Sequence, residues 1–110
     1  MALLRVAGLP DEPLAAAADF HARVLPEIRA ELDGGPDHLA LVFAPAGHAH
    51  RGWRRAAVQE LAREYAPVRV NGVESAEDDA ISVAEAYLAR AKAVTGQLLA
   101  LDGHGAGPVL

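Results

Sequence analysis

Two short, mainly apolar runs, Leu3 to Gly8 (broken by Arg5) and Leu39 to Ala44, stand among longer stretches whose apolar residues recur every three or four positions. The first run, stopped by Leu9-Pro10-Asp11, suits a buried strand followed by a turn. Glu12 and Pro13 then suit a first helical turn, and Leu14, Ala17, His21, Val24, Leu25, Ile28 and Leu32 share one helical face. Pro26 interrupts this face. Lacking a backbone donor, it is expected to kink the helix or to begin a second segment that runs to Leu32 and ends at Asp33-Gly34-Gly35-Pro36.

Leu39 to Ala44 is too short for a buried helix and reads as the most deeply buried strand. His38, beside Asp37, falls in the preceding turn with no assigned role. From Gly52 to Ala66, Trp53, Ala56, Ala57, Leu61 and Tyr65 repeat helically until Pro67 stops them. Val68 to Val73 alternates and is rich in Val, which favours a pleated strand. Asn71 is assigned to the strand ladder alone. Ser75 and the acids up to Asp79 precede a third helix through Ile81, Ala84, Leu88 and Ala91, where capping and the helix dipole favour them. Thr95-Gly96 ends it, and Gln97 to Leu101 forms a last strand.

The order β-α-β-α-β-α-β with short loops predicts an α/β fold: a four-stranded parallel sheet with three crossover helices, in one domain over residues 1–102, followed by a Gly-rich tail over 103–110. If the sheet order is 1-2-3-4 and every crossover is right-handed, all three helices lie on one face and the other is bare, unless the third helix crosses over.

Composition narrows the function classes. A formal net charge of −5 argues against general nucleic-acid binding. His48, His50, Arg51, Arg54 and Arg55 form a local basic island, read as a solvated helix start. With no cysteine, the chain has no disulfide, thiol nucleophile or thiolate metal ligand. His48-Ala49-His50 offers two imidazoles without a spaced third ligand, so no metal site is expected. No apolar run approaches the roughly 20 residues of a membrane span, and no signal-peptide layout is present, so a cytoplasmic protein is expected. In an open parallel sheet, ligands sit beyond the carboxyl ends of the strands. There the candidate ligand rim comprises His48, His50, Arg51, Trp53 and Glu74.

Arg69-Val70-Asn71-Gly72-Val73 after Leu61-Ala62-Arg63-Glu64-Tyr65-Ala66-Pro67, and Thr95-Gly96-Gln97-Leu98-Leu99-Ala100-Leu101-Asp102-Gly103, resemble two late motifs of the short-chain dehydrogenase/reductase family. The resemblance implies a truncated Rossmann-like fold matching the family's second half. It also implies a Ser, a Tyr and a Lys four residues after the Tyr. Those positions fall at Ala44 or Pro45, at Gly47 and at Arg51, and no Gly-rich nucleotide turn follows the first strand. A pseudoenzyme without cofactor is therefore expected: a non-catalytic interaction or assembly protein, forming a homo-oligomer or joining a full-length dehydrogenase relative. The alternative is a small-molecule binder or minimal enzyme using the His48/His50/Arg51 rim. Likeness to the family's interface helices makes Val24, Ile28, Ala57 and Leu61 the candidate interface.

Overall fold

The computed structural model describes residues 2–101; the Gly-rich tail expected over 103–110 lies outside them. Strands β1 (Ala2–Val6), β2 (His38–Phe43), β3 (Arg69–Glu74) and β4 (Leu98–Ala100) form one parallel sheet in the order β1-β2-β3-β4. The α/β class, the four parallel strands and the three helical crossovers agree with the sequence pattern. Each observed strand lies within a residue or two of its expected span.

Register explains why β2 has no polar face. Leu39, Leu41 and Phe43 align with Ala2, Leu4 and Val6 on one side and with Val70, Gly72 and Glu74 on the other, so they share one sheet face. His38, Ala40 and Val42 point to the opposite face, and all six β2 residues are buried. A strand buried on both sides needs cover on both sides.

The first face is covered by a long helical arm and by α3 (Arg51–Glu64). The arm consists of α1 (Pro13–Asp19), a π-helical turn (Phe20–Val24) and α2 (Leu25–Asp33). At its start the Glu12 carboxylate accepts from the backbone N–H groups of Leu14 and Ala15, at 2.9 and 3.0 Å, satisfying two donors that a helix start leaves open. Pro26 acts as expected in breaking the regular helix, but the break is a widened turn. Leu25 N–H reaches back five residues to Phe20 C=O, which relieves the ladder just where proline brings no donor.

Val24, Ile28, Ala57 and Leu61, the candidate interface residues, are buried within the single chain, at 1%, 0%, 7% and 4% exposure, and Ala57 and Leu61 also line a surface groove. They join Phe20, Leu32, Leu39, Leu41, Phe43, Val58 and Val70 in the larger apolar cluster. The cause is a rotation of the expected stripes. In α3 the buried residues are Arg54, Ala57, Val58, Leu61 and Ala62, and Ala56 faces out. Gly72 lets α3 settle close to the sheet: a Cβ there would stand 2.8 Å from Leu98 Cδ1 and 3.1 Å from Val58 Cγ2.

The second face is not bare. Helix α4 (Asp78–Arg90) turns Ala80, Ile81, Ala84 and Leu88 inward, and Ala84 and Leu88 pack with Val73 on that side of the sheet. Strand order still advances in one direction, so the third crossover has the opposite hand from the first two. Arg69 fastens this helix from below, donating to the carbonyls of Leu88 and Ala91 at 2.7 and 2.9 Å. Such a cation at a helix C-terminus satisfies open carbonyls and complements the dipole.

Under α4 lies a polar node that corrects two sequence expectations. His38 is no turn residue but the first residue of β2, 1% exposed, and Asn71 does more than serve the ladder. Asn71 Oδ1 accepts from Gln97 N–H, and its Nδ2 donates to Val94 C=O and to His38 Nε2, each at 3.0 Å. The amide thus ties β2 and β3 to the turn that leads into β4. Because Nε2 accepts, the imidazole carries its proton on Nδ1, which is buried without a partner among the described residues.

Candidate functional site

The carboxyl ends of β1 and β2 open into a pocket of about 300 Å³. One wall is the turn from Val6 to Asp11 and the other is Ala44 to Ala46, with His50 and Arg54 also lining it. The first wall is held by Arg23, whose Nη2 donates to Ala7 C=O at 2.7 Å. Gly8, at φ +75°, makes a bend that a side chain rarely adopts.

Arg54 is the site's central group. It sits on the buried stripe of α3, 4% exposed, with its guanidinium carbon 4.7 Å from the centre of the Phe43 ring. Nη1 donates to Ala44 C=O at 2.9 Å and to Glu74 Oε2 at 2.8 Å, while Nε is buried without a partner among the described residues. A buried ion pair gains much of its Coulomb energy back only where its remaining donors are also satisfied. Here they are not all satisfied.

His50 joins the two walls. Its Nε2 donates to Asp11 C=O at 2.8 Å, and its Nδ1 accepts from Trp53 Nε1–H at 3.2 Å. Both ring nitrogens are therefore engaged by a neutral imidazole, and the residue positions the loop after β1 against the start of α3. Trp53 packs against Phe20 at 5.3 Å and, edge-on, against Phe43 at 6.0 Å between ring centres.

Of the candidate ligand rim, the structure brings His50 to the pocket and sets Glu74 behind Arg54. Trp53 supports His50. His48 and Arg51 are exposed at the start of α3 and are not among the lining residues. Arg54, counted in the sequence only within the basic island, carries more of the site than either. Its spacing from His50, Ala57, Val58 and Leu61 places it on an apolar stripe, and a charge in such a place calls for a partner. Among the described residues, no group of three His, Asp or Glu side chains stands together to hold a metal ion. No helix there is long and apolar enough to cross a membrane.

A second concavity, a groove of about 360 Å³, runs between the long helical arm and α3 on the outer surface. Phe20, Leu25, Trp53, Ala56 and Leu61 give it an apolar floor. His21 and Arg29 stand on the arm's wall, Glu60 and Glu64 on that of α3. Arg29 Nη1 binds the Glu64 carboxylate and donates to Tyr65 Oη at 3.0 Å, bonds that raise its pKa above the usual arginine range.

No curated protein and no solved structure matches the chain significantly. A family model described as "Short chain dehydrogenase-like protein" matches residues 4–101, from within β1 to the residue after β4. That span takes in the first late motif, the second as far as Leu101, the pocket and the groove, and the chain belongs to the short chain dehydrogenase-like family.

Proposed function

We propose that this chain is a non-catalytic, assembly-type member of its family that pairs with a second copy of itself across the groove between the helical arm and α3. The observation that carries the reading is the groove's charge layout. An apolar floor lies between the arm's wall, which carries Arg29, and the wall of α3, which carries Glu60 and Glu64, with Arg29 and Glu64 already paired across it within one chain. In a two-fold contact whose axis runs along the groove, each copy's Arg29 wall faces the other's Glu60 wall over joined apolar floors.

The positions where the family resemblance implies Ser, Tyr and Lys support the non-catalytic part. Ala44 or Pro45 and Gly47 bring no hydroxyl, and Arg51 is exposed at the helix start. A nicotinamide dinucleotide also fits poorly. The helix start after β1 is filled by the protein's own Glu12 carboxylate, and the one after β3 carries Asp78 and Asp79, acids that repel a pyrophosphate.

Sedimentation velocity across a dilution series tests the pairing. The wild type should sediment as a dimer that Ala56→Glu, on the exposed groove floor, converts to a folded monomer. Val83→Glu, on the outer side of α4, should leave the dimer intact. A wild type that stays monomeric throughout, or that dimerises equally well with Ala56→Glu, overturns the reading. Titration with either nicotinamide dinucleotide should give no saturable heat.

A further inference from the structure

We propose that the pocket at the carboxyl ends of β1 and β2 binds a small monocarboxylate with a short apolar tail, anchored by Arg54. The inference is independent of the pairing across the outer groove.

Arg54 lines this pocket with most of its donors unspent. Nη1 makes both bonds, to Ala44 C=O and Glu74, while Nε is buried without a partner among the described residues and Nη2, not buried in that way, makes no hydrogen bond with them. Nε and Nη2 form the side-on edge of the guanidinium, whose two parallel N–H groups match the two oxygens of a carboxylate. An arginine 96% removed from solvent with an idle fork is costly to the free protein, and a ligand that engages the fork removes that cost.

Three features set the ligand class. Glu74, 2.8 Å from Nη1, already offsets the positive charge, so the remaining attraction comes from directed N–H donors rather than net charge. That favours a monoanion over a doubly charged phosphate, which would meet the Glu74 field. Val6, Leu9, Pro10, Ala44, Pro45 and Ala46 supply apolar wall around the polar end. About 300 Å³ is near the lower limit for ligand pockets, so the tail is short. His50 has both nitrogens engaged and contributes by fixing the walls; Asp11, the acidic lining residue, gives its carbonyl to His50.

Amide NMR titration of the full chain with butyrate tests this, with neutral butyramide and inorganic phosphate as comparators. Butyrate should shift the amides of Gly8, Leu9, Asp11 and Ala46 saturably, with Kd on the order of 1 mM for so small a ligand. Butyramide and phosphate should bind at least about tenfold more weakly, since the fork reads a planar monoanion. Ala46→Phe, which fills the pocket mouth and leaves Arg54 and Glu74 in place, should abolish the shifts without lowering Tm. Arg54→Lys, keeping the charge and losing the fork, should weaken butyrate about tenfold. Equal binding of butyramide, tighter binding of phosphate, or shifts that persist in Ala46→Phe or fail to saturate would each overturn the proposal.

Discussion

Arg54 Nη1 and Glu74 Oε2 meet at 2.8 Å with only 5% and 11% of their side chains exposed, joining α3 to the end of β3 beside the pocket at the carboxyl ends of β1 and β2. The pair lies beside Phe43, almost wholly removed from solvent. Either residue alone is therefore a liability to the fold, whatever it does for a ligand.

Removing one partner should cost far more than removing both. Arg54→Met or Glu74→Leu alone is expected to lose about 3–5 kcal/mol, because each strands the other's buried charge. The double variant should recover most of that loss. Urea denaturation of the four proteins closes the cycle, and simple additivity of the two losses would show that the pair does not act as a unit.

Stability should fall as pH drops through the range set by His38. Burial, and then the positive charge of Arg69, lower its pKa from 6.5 to about 4. Between about 4 and 6.5 the unfolded chain binds a proton that the folded chain refuses, so stability rises with pH there. This contribution is complete above about 6.5 and exhausted below about 4. His38→Leu should flatten that segment of the profile relative to wild type, measured by denaturation at several pH values. An unchanged slope would assign the acid sensitivity elsewhere.

Gly72→Ala should destabilise by about 1–3 kcal/mol, the usual range for overpacking, since its Cβ would press on Leu98 and Val58. The nearer contact, at 2.8 Å, is with a Leu98 methyl. In a Leu98→Ala background the same substitution should therefore cost markedly less. Thermal melts of the single and double variants measure the coupling.

The central strand was legible because an unbroken apolar run has few other uses. Its neighbours show where pattern reading stops. His38 follows a Gly-Gly-Pro-Asp turn and is polar, so periodicity ends the strand at Leu39. Pairing with Arg69 on β3 extends β2 by that one residue, and only the buried Asn71 amide makes an imidazole acceptable there. The placement of α4 was open in a different way. Alternation along β3 points to one buried face only, and handedness of a connection leaves no mark on hydrophobic spacing. The six buried residues of β2 were the available clue, since a strand without a wet side requires helices above and below.

The site was legible in outline only. The rim was placed at the carboxyl ends of the strands by topology, and His50 belongs there. Charge counting alone grouped Arg51, Arg54 and Arg55 as equals. Helical phase separates them: Arg54 lies in line with Ala57, Val58 and Leu61, while Arg51 and Arg55 face solvent.

The π-helical turn also sets the phase of the whole arm. Ala16, Phe20, Val24, Ile28 and Leu32 are all buried at a strict spacing of four, and His21, Leu25 and Arg29 follow the groove at the same spacing. An α-helix of about 3.6 residues per turn would swing such a row by some 40° at each step. The wider turn at Phe20–Val24 takes up part of that swing, so two straight rows run side by side along the arm. Deleting a single residue within the turn would restore a regular ladder and at the same time rotate one half of the arm against the other. The core row and the groove row would fall out of line together, and the arm's irregularity is thus what lets one helix serve both the interior and the groove.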